Sequence, residues 1–334
     1  MAIYRQGIFK NMSITKMLLN QTTRRAALKG VIAAGSISLA LRQKLSFAQD
    51  ADSRPDDPDP TPERFTGPQT ILVGGLDSRG PGEPENSDVL MLCRVDLDQN
   101  TLRVLNINRD LYLEIPGFGA DKITRAYDFG AASSNGEFEA GAELMKATIE
   151  HNFFIPVDSV VLTTFTGFEA IVDAFGGVTV ENPYEVVDYE YPTEDYGIET
   201  INFAAGEVEL DGEDALKYCR TRHQDGDPGR VMRQQIVLRQ LLEDALVEFD
   251  EESLWQLVKT NRDQVRTDLE PSKQLAYALA VPGFSNDNVQ FANLLDYLYS
   301  DYAPNGAWIY SGLWDQIPAF TEGFLSGEIN VEQQ

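Results

Sequence analysis

Short apolar runs, broken by Gly, Pro, Asp and Asn, set out most of the elements of the chain. Thr70–Val73 is a strand that breaks at Gly74-Gly75 and delivers Asp77-Ser78-Arg79. Val89–Asp96 and Leu102–Asn108 flank Asp98-Gln-Asn-Thr101, a hairpin signature, and the second strand ends at Arg109-Asp110. Ala142, Met145, Ile149 and Phe153 recur at helical spacing, so 138–153 is an amphipathic helix. Val157–Thr164 is a strand, Phe168–Phe175 a helix and Val178–Glu181 a strand. Val186–Asn202 is acidic and tyrosine-rich, an extended excursion or hairpin over one face. Asp211 caps a short helix that runs into Arg220, and Asp227 caps a long one with Pro228 as its first residue. Val231, Leu238, Leu241, Leu242, Ala245 and Phe249 give that long helix an apolar face. Leu254–Arg262 and Ser272–Ala280 are helical, Val289–Phe291 is a short strand, and the aromatic-rich 297–324 packs back on the rest. Strands interleaved with helices predict a three-layer α/β/α sandwich on a mixed central sheet, one domain over 68–329.

The two ends of the polarity scale change this picture before residue 68. Residues 1–48 hold eight Lys/Arg and no Asp or Glu. Thr22-Thr-Arg-Arg-Ala-Ala-Leu-Lys29 resembles a twin-arginine export motif, followed by a weakly apolar run, Gly30–Leu41, and by Ser46-Phe-Ala48 as a cleavage site. An arginine pair before such a run also suits the general export route; the twin-arginine (Tat) translocon is the partner taken here. Twelve residues are too few to span a bilayer as a helix. Residues 49–67 are rich in Asp and Pro and read as a disordered linker.

Net charge is -26, and without the first 48 residues 19 basic side chains face 53 acidic ones. A surface that acidic repels nucleic acid, and no nucleic-acid partner is expected. Cys93 and Cys219 lack metal-ligand spacing and stand as two buried thiols or one disulfide. With His151 and His223 the only histidines, a zinc site is not indicated.

Against this acidity, Arg220, Arg222, Arg230 and Arg233 fall within fourteen residues, around a helix start, and Arg230 and Arg233, three apart, are expected on one face of that helix's first turns. Guanidinium groups beside free helix N–H groups suit phosphate or pyrophosphate; surface ion pairing is the plainer use of the same residues. A second polar cluster, Asp77, Arg79, Asp88 and Arg109-Asp110, sits where strands give way to loops, the usual place for sites in α/β sheets. Asp77 and Asp88 are eleven residues apart across a loop. Two approaching carboxylates need a cation or a proton between them, and with phosphate nearby Mg²⁺ is the expected cation; Arg79–Asp88 or Arg109–Asp110 as structural ion pairs, and Asp77 as a turn cap, are the plainer uses.

The blocks Ile71–Arg79, Ser87–Leu92, Leu105–Asp110, Ile115–Tyr127, Asp173–Val180, Leu210–Arg222 and Gly229–Gln235, in that order, resemble the LytR–CpsA–Psr family of cell-envelope glycopolymer transferases. The resemblance implies transfer of a glycan phosphate from a polyprenyl-pyrophosphate-linked donor to a hydroxyl of peptidoglycan or another envelope polymer, outside the cytoplasm and dependent on Mg²⁺. It assigns Asp77 and Asp88 to metal, and Arg79, Arg109, Lys122, Arg220, Arg222, Arg230, Arg233 and Gln234 to the pyrophosphate or its support. Asp88, Arg109, Asp110 and Arg220 would carry the chemistry, with Asp88 or Asp110 orienting or deprotonating the hydroxyl. It also implies an apolar tunnel for the lipid, with Phe118, Phe129, Phe165, Phe168, Ile171, Leu238 and Leu242 as lining. The chain departs from the family pattern at Asn86, usually arginine, at Asn108, usually proline, and at Pro228, commonly aromatic. Family members are normally membrane-anchored, whereas an exported protein is expected here. A lipid-pyrophosphate hydrolase and a non-catalytic binder of anionic lipid or glycan use the same residues and are the rival readings.

Overall fold

The computed structural model describes residues 60–63, 66–77, 84–193 and 197–328. The export segment expected over 1–48, most of the linker over 49–67, and Arg79 lie outside them. The described residues belong to one unit, 58–328, and among them no helix is long and apolar enough to cross a membrane. Chain expected as linker is in part tied down: the Glu63 N–H donates to Ser272 O at 3.1 Å.

The centre is a six-stranded mixed sheet. Its strands are β1 (Gln69–Asp77), β2 (Asn86–Asp96), β3 (Thr101–Asn106), β6 (Ser159–Thr164), β11 (Val265–Thr267) and β12 (Val289–Asn293), in the order β11-β6-β1-β2-β3-β12. β1 pairs antiparallel with β2 and parallel with β6, and β12 is parallel to β3. The remaining strands form two-stranded ribbons: β4 (Tyr112–Ile115) with β5 (Gly119–Lys122), and β7 (Val178–Asn182) with β10 (Gly206–Leu210). Likewise β8 (Val186–Pro192) pairs with β9 (Ile198–Phe203), and β13 (Leu298–Tyr302) with β14 (Trp308–Gly312). The excursion expected over 186–202 is thus a hairpin.

The helices are α1 (Ala126–Ser133), α2 (Phe138–Phe153), α3 (Phe165–Ala174), α4 (Gly212–Arg220), α5 (Gly226–Glu248), α6 (Glu251–Thr260), α7 (Pro271–Ala280) and α8 (Ile317–Ser326). Leu72, Leu90, Leu92, Leu105 and Leu162 are fully buried on one face of the sheet, and α1 and α2 contact β2 and β6. On the other face Leu238 and Leu242 of α5 pack with Met91, Val104 and Phe291.

Three local expectations are corrected. β1 does not stop at Gly74-Gly75 but runs on to Asp77. A Cβ at residue 74 would lie 2.7 Å from Leu162 Cδ2, so glycine there lets strands and side chains close up. Asp227 does not cap the long helix; the cap position is Asp225, and Pro228 is the third helical residue. Arg230 and Arg233 do not share a face in use, for the reason given by the turn between α4 and α5.

That turn is built around Arg233, whose side chain is 0% exposed. Its Nε donates to Tyr218 O at 2.9 Å, Nη1 to Asp225 Oδ2 at 2.5 Å, and Nη2 to Asp225 Oδ1 at 3.1 Å and to Thr221 O. The Asp225 carboxylate reaches it only because residue 229 is glycine: a Cβ there would sit 2.0 Å from Asp225 Cγ. One guanidinium therefore fixes the carbonyls and the carboxylate of the whole 218–225 stretch. Removing one partner of a buried ion pair leaves the other charge unpaired, at about 3–5 kcal/mol. Arg233→Met is expected to lose stability of that order in chemical denaturation; an unchanged midpoint would show that the turn holds itself.

Candidate functional site

Between the sheet, α3, α4, α5 and the β8–β9 hairpin lies a cavity of about 430 Å³, within the range that holds small ligands. Each wall contributes by its own periodicity. From α5 come Arg230, Gln234, Val237, Leu238 and Leu241, one helical stripe that is polar at the N-terminal end and apolar beyond. Arg233 lies off that stripe, beneath the turn, and does not line the cavity. From β1 and β2 come Val73, Gly75, Asp77, Val89 and Met91.

Asp88 reaches the same face through a defect in the sheet. Strict alternation would put it with Leu90 and Leu92 on the opposite face. The register pairs Gly75 with Val89 but Leu76 with Ser87, so Asp88 is the extra residue of a bulge. Bulges re-aim single side chains, and here the side chain turns into the cavity beside Asp77.

Arg109 follows β3 in a turn set by Asn108, whose Oδ1 accepts from the Asp110 N–H at 2.9 Å. Asn108 Nδ2 also donates to Asp227, and Asp227 pairs with Arg230. The Asn108 side chain thus ties the two polar clusters together. Arg109 Nη1 donates to Asp88 Oδ1 at 2.5 Å, and its Nε is 3.5 Å from Asp110 Oδ2. Burial disfavours the Arg109 charge, but the Asp88 and Asp110 carboxylates outweigh it and hold the group more firmly protonated. Asp110 accepts from Lys122 Nζ at 2.7 Å. Burial would raise its carboxyl; the Lys122 bond and the charges of Arg109, Lys122 and Arg230 outweigh that and hold it below the usual carboxylate range. Asp110 and Lys122 do not line the cavity but stand behind Arg109.

Arg230 is the opposite case. It is 5% exposed, and its Nε has no hydrogen-bond partner among the described residues. Burial, partly offset by Asp227 and reinforced by the like charges of Arg109 and Arg222, lowers its pKa from the ordinary arginine value. A buried cation short of a partner is a place where an anion binds. Arg220 lies over the Phe165 ring, 4.0 Å from Cζ to the centroid, and its Nη1 donates to Tyr191 Oη at 3.3 Å. Arg222 is exposed and lines the cavity with it.

The structure therefore brings together Asp77, Asp88, Arg109, Arg220, Arg222, Arg230 and Gln234, and leaves Lys122, Asp110 and Arg233 in the layer behind. Of the apolar residues expected as lining, Phe165, Phe168, Ile171 and Leu238 are in place. Phe118 and Phe129 instead stack on each other at 5.1 Å, and Leu242 packs under the sheet; none of the three lines the cavity. Asp188, Tyr191 and His223 line it without having been singled out as site residues; their meeting depends on the fold of the β8–β9 hairpin. Cys93 and Cys219 are free thiols. Burial pushes Cys219 up to about 12.

Asp77 and Asp88 offer only oxygen, which fits a hard cation completed by phosphate and water, and does not fit zinc. Among the described residues no group of three or more His, Cys, Asp or Glu side chains is placed to hold a metal alone.

Comparison with known proteins identifies the family. A family model, LytR_cpsA_psr, matches residues 37–323. A polyisoprenyl-teichoic acid–peptidoglycan teichoic acid transferase TagU from Oceanobacillus iheyensis is 34% identical over 205 residues, 61% of this chain and 59% of its own length. TagU from Halalkalibacterium halodurans is 33% identical over 207 residues, 61% and 62% of the two chains. The chain thus spans about three fifths of the length of these relatives. Among solved structures, B. subtilis TagV superposes with a TM-score of 0.64 at 23% identity, over 79% of this chain and 99% of that one. TagT bound to LIIa-WTA superposes at 0.60 and 25% identity, over 79% and 93%. With its family match running through both clusters, the chain belongs to the LytR–CpsA–Psr family.

Proposed function

We propose that the protein transfers a glycan phosphate from a polyprenyl-pyrophosphate-linked donor to a hydroxyl of peptidoglycan or another envelope polymer. The observation that carries this reading is one cavity with arginines at its polar part and an apolar bed beyond them. A ligand that is both multiply anionic and long-chain apolar uses both parts. The apolar bed is read as the start of a lipid tunnel within a three-layer α/β/α arrangement. The TagU relatives named above are teichoic acid transferases, which supports the same reaction class here. Export by the Tat translocon and work outside the cytoplasm, at the membrane face or in the cell wall, belong to the same reading.

Donor pyrophosphate oxygens are bound by Arg109, Arg220, Arg222 and Arg230, with Gln234 at the edge of the group and Arg79 as a further candidate. Arg230 Nε gains the acceptor it lacks among the described residues. The acceptor hydroxyl attacks the phosphorus bonded to the glycan, and the guanidinium groups stabilise the charge that develops on the departing polyprenyl phosphate. Mg²⁺, when held by Asp77 and Asp88, supplies charge neutralisation on phosphate oxygens. Asp110 holds Arg109 and Lys122 in place, and the two cations occupy its carboxylate.

Arg220→Ala and Arg109→Ala are each expected to lower transfer by about 10²–10³-fold while keeping the folded circular-dichroism spectrum. The assay is transfer of labelled glycan from a lipid-linked donor to peptidoglycan; near-normal rates in either variant would remove the arginines from the mechanism. Chelation with EDTA is expected to stop transfer and Mg²⁺ to restore it, and Asp88→Asn to raise the Mg²⁺ concentration needed. Full activity in EDTA would contradict the metal assignment. Release of free glycan phosphate with no polymer-linked product would favour hydrolysis.

A further inference from the structure

The transfer reaction needs a group to receive the proton of the attacking hydroxyl, and the acidic residues at the mouth are poorly placed for it. Asp88 is bound to Arg109, Asp110 is bound to Lys122 away from the cavity, and Asp77 is read above as a cation ligand with Asp88. A different pair faces the same cavity. His223 Nδ1 lies 2.8 and 2.9 Å from the two carboxylate oxygens of Asp188. Asp188 is itself fixed: Thr221 Oγ1 donates to its Oδ2 at 2.6 Å and the Glu190 N–H to its Oδ1 at 3.0 Å. Its side chain is 1% exposed, whereas that of His223 is 53% exposed.

This asymmetry is the usual sign of an orienting carboxylate and a working imidazole. A carboxylate at Nδ1 places the proton there and leaves Nε2 as the acceptor. Among the described residues no hydrogen bond reaches Nε2. A histidine kept only to pin the hairpin would gain nothing from half exposure, since Thr221 already bonds Asp188 to the turn.

We propose that His223, oriented by Asp188, is the proton acceptor for the attacking hydroxyl. The inference rests on the transfer reading above. As the hydroxyl oxygen bonds to the glycan phosphorus, its proton passes to Nε2. The P–O bond to the bridging oxygen breaks, its electron pair leaves on the polyprenyl phosphate, and the imidazolium returns the proton to that phosphate. Atoms and charge balance without a further reactant. The charged groups that line the same cavity are Arg220 of α4, Arg222 in the turn and Arg230 of α5, with Asp188 of β8 bonded to Nδ1. On the sheet side Arg109 is offset by Asp88, with Asp77 beside it.

The test is the pH–rate profile of transfer, with donor binding measured separately, for the unmodified protein, His223→Gln and Asp188→Asn. His223→Gln is expected to bind the lipid-linked donor normally, to lose about 10²–10⁴-fold in kcat, and to lose the acidic limb of the profile. Asp188→Asn is expected to lower kcat in the same direction, and His223→Ala to regain rate with added imidazole. Unchanged kcat and profile in His223→Gln would overturn the proposal and leave the transfer reading standing, as would loss of donor binding in that variant. Absence of transfer by the unmodified protein would overturn the transfer reading, and this proposal with it.

Discussion

The buried guanidinium of Arg233 is the constraint on which the site depends. It bonds Tyr218 O, Thr221 O and the Asp225 carboxylate, and so fixes the chain from the last turn of α4 to the first of α5. Arg220, Arg222 and His223 lie on that stretch and Arg230 just after it. Each of these side chains is exposed or partly exposed to the cavity, or short of a partner within it, and none holds its own backbone. One further arginine, turned away and paired with Asp225, holds the backbone that carries the others. A single family of residues thus does two opposite tasks, and burial separates them.

The second cluster reaches the cavity by a different device. Asp88 enters through a bulge in β2, and Arg109 is set by the Asn108 side chain, which also grips Asp227 at the start of α5. The link Asn108–Asp227–Arg230 joins strand end to helix start. Asp110 and Lys122 complete a layer behind Arg109 that fixes its charge. What results is buried positive charge short of hydrogen-bond acceptors: the Nε atoms of Arg230 and Arg109 have none among the described residues, and Arg230 is pressed by Arg109 and Arg222. In a chain of net charge -26, this group of arginines is a local exception that attracts an anion.

Much of this was legible in the sequence, and what was not has identifiable causes. Periodicity located the hairpin of β2 and β3, the amphipathic α2 and the capped α4, because those elements are determined by neighbours in sequence. The arginine cluster stood out because positive charge is rare beyond residue 48, and Asp77, Asp88 and Arg109-Asp110 because they sit where strands give way to loops. Asp88 was expected in the site with Asp77, but the bulge that turns it inward was not legible, since alternation is the rule by which strands are read and a bulge is its local failure. Asp227 as cap was misjudged because Gly229 lets Asp225 swing in, a contact no propensity encodes. Arg230 and Arg233, three apart, look equivalent on paper; the stripe of α5 that continues as Gln234, Val237 and Leu241 separates them. His223 and Asp188, thirty-five residues apart, meet only once the β8–β9 hairpin folds over the cavity.

The central claim is that one cavity binds pyrophosphate and lipid as a single ligand. Calorimetry with geranylgeranyl pyrophosphate, inorganic pyrophosphate and geranylgeraniol, each titrated in Mg²⁺, tests it directly. The joined molecule is expected to bind at least about 100-fold tighter than either piece, because its second half enters without a further loss of freedom. Equal affinity for pyrophosphate with and without the prenyl chain would contradict the account and reduce the apolar bed to ordinary core.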